Sequence, residues 1–249
     1  GEKIIQQAHL IVAESDRIQD VIQQEKGLIG GSFKLGIIPT VMSTLLPLFL
    51  QTVLKAYPKL VLEIEEMPTK QIIEHLEKGT LDAGIAATPL DYEHILEKPL
   101  YYEPFMVYVP KHSKLNREKN ITADMLKTEQ VLLLQDGHCF RNSALNICKI
   151  KHEIPLTFEI KSGSFETLVQ LAEEGLGITL LPYLHARKLN EVQQRNLKSF
   201  EAPEPAREVS MVYHQRKLKL HIIEALHDKI RAIIRGAIVY EDIKIISPK

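Results

Sequence analysis

Apolar strand-like segments alternate with amphipathic segments along the first third of the chain, and this order constrains the fold more than any other feature. In the amphipathic segments the apolar residues recur at helical spacing. A repeated strand-helix order predicts a parallel sheet with helices on its faces, because parallel neighbours need a long crossover connection. The predicted strands are 33–39, 60–67 and 81–88, and the predicted helices are 43–57 and 69–78.

A second α/β unit is predicted after residue 100. The apolar run 100–110 crosses into this unit, and the strand 208–213 returns from it. Two α/β units joined by two crossovers predict a hinged fold of the periplasmic-binding-protein type, with ligand sites at strand ends and between the units. The predicted first unit comprises 28–100 with 206–249, and the second comprises 101–205. Inside the second unit we predict strands at 131–135, 157–161 and 177–181 and helices at 140–148 and 165–174, and a final helix at 218–235 belongs to the first unit.

Residues 2–25 are predicted to form one more helix, within a linker or dimerisation segment at 1–27. Its apolar positions follow a four-three spacing, which places them on one stripe of the helix surface. Such a stripe either packs on the helix's own domain or contacts a second subunit. We favour the second interpretation, because glycines at 27, 30 and 31 separate this helix from the first predicted strand. The stripe consists of Ile4, Ala8, Ile11, Ser15, Ile18 and Ile22.

Composition sets broad limits on function. The chain has 249 residues, a net charge of -1 and 45% hydrophobic residues, which suits a globular protein with a sizeable core. A net charge near zero produces no overall positive electrostatic field that would attract nucleic acid, so we do not expect this chain to bind DNA by itself. No apolar run approaches the ~20 residues that cross a bilayer, and no signal peptide opens the chain, so we expect a cytoplasmic location. The first residue is Gly1, which suggests a fragment of a longer protein.

The chain's two cysteines, Cys139 and Cys148, lie nine positions apart in one short segment. Cys139 opens the predicted helix 140–148, and a helix N-terminus favours a thiolate through its free N–H groups and its dipole. His138 and Arg141 add positive charge or hydrogen-bond donors nearby. These are the surroundings of a reactive cysteine. Spacing alone, however, favours two buried, inert cysteines. A zinc site is disfavoured because a second cysteine pair is absent, and a thioredoxin-type site because C-x-x-C is absent.

If residues 139–148 are helical, the two cysteines rise ~13 Å apart along the axis. A disulfide tolerates a Cα separation of at most ~7 Å. The helix and the disulfide are therefore mutually exclusive, and oxidation would have to unwind this segment.

Several strings of the chain resemble the peroxide-sensing transcriptional regulators of the LysR type. The most specific is DGHC at 136–139 with a second cysteine nine residues later. GIIPT at 36–40 is similar to the family's first regulatory strand and helix, and EGLGITLLP at 174–182 is similar to a stretch shared by the wider LysR family. Residues 1–26 resemble the family's linker helix, so the resemblance covers nearly the whole chain.

The resemblance implies roles for particular residues. Cys139 would react with peroxide, and Cys148 would resolve the product as a disulfide. The family usually has an arginine after the V-Y of the late strand, but this chain has His214 there and Arg216 two residues later, so one of these two would supply the cationic donor. The implied peroxide-binding residues are Thr40, Thr69, Gly137, His138, His214 and Arg216.

The same resemblance implies a sensor oxidised stoichiometrically by hydrogen peroxide, and not an enzyme. No cofactor and no metal are predicted. The implied partners are a second copy of the chain in a homodimer or homotetramer, promoter DNA bound through a winged helix-turn-helix domain that this chain lacks, and a thiol reductant such as glutaredoxin or thioredoxin.

Three alternatives remain open at this point. A LysR-type regulator binding a small organic effector would keep the fold and need no cysteines. A transporter's solute-binding protein would share the hinged shape but normally carries a signal peptide. A thiol peroxidase would share the first chemical step and would turn over with excess peroxide and reductant.

Two weaker expectations concern the rest of the chain. His185, His221 and His227 lie in or near predicted helices and are expected at the surface. The tail 237–249 has no predicted role.

Overall fold

The computed structural model describes residues 29–135, 137, 139–148, 162–216, 219–236, 238 and 243–248. The predicted helix at 2–25, the predicted strand at 157–161 and His138 lie outside these residues.

The described residues form ten strands and seven α-helices. The strands are β1 (Gly30–Ile37), β2 (Lys59–Glu66), β3 (Ala83–Thr88), β4 (Ile95–Tyr108), β5 (Asn120–Ile121), β6 (Val131–Leu132), β7 (Ile178–Pro182), β8 (Leu197–Phe200), β9 (Glu204–His214) and β10 (Ile243–Ile245). The helices are α1 (Pro39–Ala56), α2 (Thr69–Glu77), α3 (Cys139–Cys148), α4 (Phe165–Glu173), α5 (Tyr183–Ala186), α6 (Glu191–Gln194) and α7 (Leu220–Arg235), and two 3-10 turns span Lys114–Arg117 and Met125–Thr128.

The strands form a continuous sheet in the order β2-β1-β3-β9-β4-β7-β6. β1 pairs in parallel with β2 and β3, as the strand-helix order predicts. β9 runs antiparallel to both β3 and β4, and the far half of β4 pairs with β7 and β8. The long strand β4 thus belongs to both halves of the sheet, and the chain returns through β9. The predicted α/β fold with two crossovers is confirmed.

Two hydrophobic cores accompany the two halves. The first combines β1 and β3 with the apolar faces of α1, α2 and α7. The second combines the far half of β4 with β7, α3 and α4. Residues from the other side of the crossovers contribute to each core. Leu184 of α5 belongs to the first core, and Ile246 packs against the second.

Two element boundaries differ from the sequence prediction for physical reasons. α1 begins at Pro39, not at 43, because a proline's fixed φ and missing N–H suit the first helical position. β4 begins at Ile95, five residues before the predicted apolar run. This extension contains Glu97 and Lys98, and it forms a strand because it pairs with β9, not because it is apolar.

Glycines permit the close approach and the turn that the fold needs at two points. A Cβ at Gly84 of β3 would lie 2.4 Å from Cγ2 of Ile72, so α2 packs directly on the sheet there. Gly175 has φ 84° directly after the C-cap Glu174 of α4, which confirms the predicted helix end.

Two of the three histidines expected at the surface are buried. His227 is 1% exposed because it lies on the apolar stripe of α7, and its ring contacts the Pro99 carbonyl and Asp228. His185 is 5% exposed and packs against the ring of Phe165. Helical position alone did not distinguish the inner face from the outer one.

None of the described helices is both long enough and apolar enough to span a lipid bilayer.

Candidate functional site: a cysteine at the junction of the two cores

Cys139 is the first residue of α3, and its Sγ lies 2.8 Å from Oγ1 of Thr69. Thr69 is the first residue of α2, on the other side of the crossovers. Cys139 is half-buried and packs against the first core, although its own helix belongs to the second. The sulfur therefore lies at the junction, with one hydroxyl in hydrogen-bond contact and part of its surface open.

Thr40 lies in the first turn of α1 and is held by Arg207 of β9. Nη1 of Arg207 donates to Oγ1 of Thr40 at 2.9 Å, and Nη2 donates to the Thr40 carbonyl at 3.1 Å. Both residues are buried. The arginine thus fixes the position and orientation of the threonine hydroxyl.

Glu103 of β4 neutralises the buried guanidinium. Its Oε2 accepts from Nε of Arg207 at 2.9 Å and from Nη2 at 2.7 Å. Its Oε1 accepts from the backbone N–H of Leu184 at 2.8 Å. The strand register places Glu103 directly opposite Arg207, so backbone pairing brings the two charges together. Both oxygens of the carboxylate are satisfied, which a buried charge pair requires.

Phe140 connects this charged group to the cysteine helix. The Arg207 guanidinium carbon lies 5.3 Å from the centroid of the Phe140 ring. The same ring contacts Phe105 and Phe165, with centroids 5.0 Å and 4.9 Å away. Because Phe140 is the second residue of α3, this packing anchors the first turn of the helix and hence Cys139.

Cys148 is the last residue of α3 and is fully buried. Burial raises the pKa of its thiol to about 12, so it is protonated near neutral pH. Both cysteines are free thiols. Because they are nine positions apart on one helix, the two Cα atoms are ~13 Å apart, beyond the ~7 Å that a disulfide spans. The predicted helix of the dithiol form is thus present.

The structure brings together some of the predicted site residues and not others. Thr69 contacts Cys139, and Thr40 is linked to the same helix through Arg207 and Phe140. Gly137, with φ 92°, forms the turn just before the helix. His138 lies outside the described residues.

The structure places His214 and Arg216 away from Thr40 and Cys139, at the other end of β9 from Arg207. β9 begins near Thr40 and runs away from it, so its last residue, His214, lies ~23 Å along the strand from Arg207. The His214 ring faces His94 at 6.1 Å and accepts the backbone N–H of Arg216. Arg207 is the cation that reaches Thr40.

Sequence reasoning missed Arg207 and Glu103, although each carries a recognisable signal. Glu103 is the one charge in the otherwise apolar strand segment LYYEPFMVY, and Arg207 is the one basic residue in PAREVSMVY, where it precedes Glu208. A charge at such a position is buried at a cost unless it meets an opposite charge. Two such strands therefore predict a buried ion pair at the point where they run side by side.

Among the described residues, no group of three or more His, Cys, Asp or Glu side chains is arranged to hold a metal ion.

Comparison with known proteins points to one family. A family model described as the LysR substrate binding domain matches residues 26–234. The hydrogen peroxide-inducible genes activator of Pectobacterium carotovorum subsp. carotovorum is 31% identical over 237 residues, which cover 95% of this chain and 78% of that protein.

Solved structures give the same result. The reduced OxyR regulatory domain of Pseudomonas aeruginosa is 31% identical, with a TM-score of 0.71 over 82% of this chain and 98% of that one. A mutant OxyR of Corynebacterium glutamicum with bound hydrogen peroxide is 25% identical, with a TM-score of 0.79 over 95% of this chain and 75% of that one. The chain therefore belongs to the LysR family of transcriptional regulators, in the group of the hydrogen peroxide-inducible genes activators.

Proposed function

We propose that this chain senses hydrogen peroxide by oxidation of Cys139. The observation that carries the proposal is the contact between Cys139 Sγ and Thr69 Oγ1 at the first residue of α3. The thiolate is the nucleophile that peroxide requires, and the Thr69 hydroxyl lies where it can hydrogen-bond to that sulfur.

The first step converts the Cys139 thiol and one peroxide molecule to a sulfenic acid and water. The thiolate attacks one peroxide oxygen, the O–O bond breaks, and the departing hydroxide takes up the proton that the thiol released. We propose that Thr40 holds the peroxide. Because Arg207 donates to Oγ1 of Thr40, the hydrogen of that hydroxyl remains available to donate to a bound peroxide. His138 and Gly137, which precede the cysteine, are proposed to complete the pocket.

The second step joins the two sulfurs. The Cys148 thiol displaces water from the sulfenic acid and forms the Cys139–Cys148 disulfide. Two electrons have then passed from the two thiols to one peroxide molecule. Since the helix separates the sulfurs, the disulfide requires α3 to open, and opening repacks the surface around it.

The rearranged surface would alter how subunits of a homodimer or homotetramer are placed, and hence promoter binding by a DNA-binding domain outside this chain. A thiol reductant such as glutaredoxin or thioredoxin would restore the dithiol. We place this regulator in the cytoplasm, where the promoter DNA lies.

The experiment that tests the proposal is mass spectrometry of the intact protein and its peptides after one equivalent of hydrogen peroxide. We expect a product lighter by two hydrogens, with residues 139 and 148 linked. Cys139→Ser should give no product, and Cys148→Ser should gain one oxygen at Cys139 without a disulfide. If peroxide leaves both cysteines reduced, the site is not a peroxide sensor.

A second measurement separates a sensor from a thiol peroxidase. With excess peroxide and reductant, we expect slow consumption limited by reduction of the disulfide. Sustained fast turnover would instead indicate an enzyme.

A further inference from the structure

The tail segment, residues 243–248, lies against the edge of β9. Its strand β10 pairs in parallel with Glu204–Ala206, and the N–H of Ile246 donates to the Ala206 carbonyl at 2.7 Å. Ile246 packs on the second core, and Pro248 is buried. The tail segment is thus an integrated part of the fold, and it ends beside α3.

Three polar side chains of α3 donate to backbone carbonyls of the tail segment. Nδ2 of Asn142 donates to the Pro248 carbonyl at 3.3 Å. Nδ2 of Asn146 donates to the Ser247 carbonyl at 3.3 Å. Oγ of Ser143 lies 3.4 Å from the same carbonyl and 3.3 Å from the Cys139 carbonyl of its own helix, so its one hydrogen is shared between the two. Asn146 follows Ser143 by three positions and Asn142 by four, so the three side chains lie near one another only while α3 is helical.

We propose that the tail segment is a latch that holds α3 in its helical, dithiol form and thereby sets the redox equilibrium of the cysteine pair. The proposal rests on the proposed function, since it concerns the same switch. A helix that opens to join Cys139 and Cys148 separates the three donors from the two carbonyls. Contacts that exist in only one of two states shift the equilibrium toward that state.

The latch also connects to the charged group of the site. The tail segment pairs with β9 as far as Ala206, and the next residue is Arg207. One short segment therefore braces both the helix that carries the cysteines and the strand that carries the arginine.

The direction of the effect follows from the two states. Losing the latch removes stabilisation from the dithiol and leaves the disulfide unchanged. Reduction of the disulfide to two thiols, with dithiothreitol closing to its cyclic disulfide, then becomes less favourable. A protein without the latch should therefore keep its disulfide at a higher concentration of reductant.

The test compares four proteins, two with the complete chain and two with a shortened chain, in dithiothreitol redox buffers. The Cys139–Cys148 disulfide is measured by alkylation and mass spectrometry. One pair of substitutions, Asn142→Asp with Asn146→Asp, keeps side-chain size and nearly the same helix propensity but replaces each donor with an acceptor. The other change ends the chain after Asp242. Combining the two changes isolates the interaction between helix and tail.

We expect the double aspartate substitution to shift the equilibrium about tenfold toward the disulfide in the complete chain, equivalent to a potential ~30 mV more negative. In the shortened chain the same substitutions should shift it less than about twofold, because their partner is gone. An equal shift in both backgrounds, or none in the complete chain, overturns the latch. If the complete chain forms no disulfide with peroxide at all, the proposed function fails instead.

If the shortened chain loses its native near-ultraviolet circular dichroism, amide hydrogen exchange of the complete dithiol protein decides the question. The double aspartate variant must then lose protection across 143–148 relative to the unsubstituted chain. Unchanged protection there overturns the proposal.

Discussion

Arg207 has the largest fully buried side chain among the described residues, and its charge is balanced by one carboxylate. Removing one partner of a buried ion pair leaves the other charge without compensation, which costs far more than a surface pair is worth. At the scale of single residues, the Glu103–Arg207 pair is therefore the most sensitive point of the site.

We expect Glu103→Ala to lower the free energy of unfolding by about 3–5 kcal/mol, because it leaves the buried Arg207 guanidinium without its counter-charge. Urea unfolding of the reduced protein measures this change. Glu97→Ala, on the same strand but partly exposed, serves as the control and should cost much less. If both variants lose the same amount, the pair is not a determinant of stability.

Thr69→Val removes the hydroxyl beside the Cys139 sulfur at nearly constant volume. A hydrogen bond to a charged group contributes about 1.5–3 kcal/mol, so we expect oxidation by peroxide to slow ~10–100-fold without loss of the fold. Stopped-flow measurement of thiol loss gives the rate. Thr80→Val is the matched control, because that exposed threonine bonds only locally to His75. An unchanged rate in Thr69→Val would exclude the hydroxyl from the reaction.

The buried Cys148 thiol makes stability depend on pH. Its pKa is raised to about 12 in the fold, whereas a cysteine in an unfolded chain ionises near ~8.5. Below pH ~8.5 both states keep the proton and there is no effect. Above it the unfolded chain loses a proton that the fold retains, so stability falls by ~1.4 kcal/mol per pH unit. Urea unfolding of the dithiol protein between about pH 8 and 10 tests this, and Cys148→Ala should show a shallower decline.

Residue identity predicted the cysteine and threonine part of the site but not the buried ion pair. Cys139 and Thr69 were selected from the sequence, the first by its motif and its place at a helix start. Arg207 was not, because its role depends on the register of two strands that bring it opposite Glu103, 104 positions away. Sequence patterns state which segments form strands, but not which residues of distant strands face each other.

At the scale of elements, α3 is the helix that must open for the proposed disulfide to form. It holds the cysteines too far apart to bond, and its first turn is anchored by Phe140, which contacts two aromatic rings and the Arg207 guanidinium. Its other residues are held by the second core and by the tail segment. Helix formation and disulfide formation compete for the same ten residues.

We expect amide protection across Phe140–Cys148 to drop on oxidation, because the helical hydrogen bonds must open for the sulfurs to meet. Hydrogen exchange with mass spectrometry, compared between dithiol and disulfide forms, measures it. Helix α4 is the internal reference and should keep its protection. Equal protection of α3 in both forms would show that the disulfide does not act by unwinding this helix.

Element types were predicted better than element ends. α2 and α4 match the sequence prediction to within one residue, because their apolar spacing is regular and their ends carry clear signals. β4 and β9 extend five and four residues beyond the predicted runs. The β4 extension pairs with Ser210–His214 of β9, and the β9 extension pairs with Glu103 and Pro104 of β4 and with β10. Backbone partners and not apolar side chains therefore decide their length.

At the scale of the whole molecule, the site lies where the two cores meet. Thr40 and Thr69 precede the crossover, Cys139 follows it, and the Glu103–Arg207 pair lies on the two long strands between them. Lys188 adds a further contact across the junction by donating to the Ser43 carbonyl. The division of the chain at residues 100 and 206 stays a prediction, but Thr40, Thr69 and Cys139 lie along this boundary.

Assembly is predicted from residues 2–25, which lie outside the described part of the chain. Ile11 and Ile18 are on the apolar stripe of the predicted helix. Changing both to Asp should yield monomers, because charges would replace the apolar contact between subunits. Sedimentation or light scattering measures the mass, and Gln7→Asp with Gln24→Asp, off the stripe, is the control. Unchanged oligomers would mean that this helix is not the main contact.

The complete burial of Cys148 has a kinetic consequence under the proposed mechanism. Peroxide meets Cys139 in a bimolecular collision, so that step accelerates with concentration. The second sulfur arrives only after α3 opens, which is a unimolecular event that no amount of oxidant accelerates. At high peroxide the disulfide therefore forms at a ceiling rate, and the response time of the sensor becomes a property of its own fold, independent of dose.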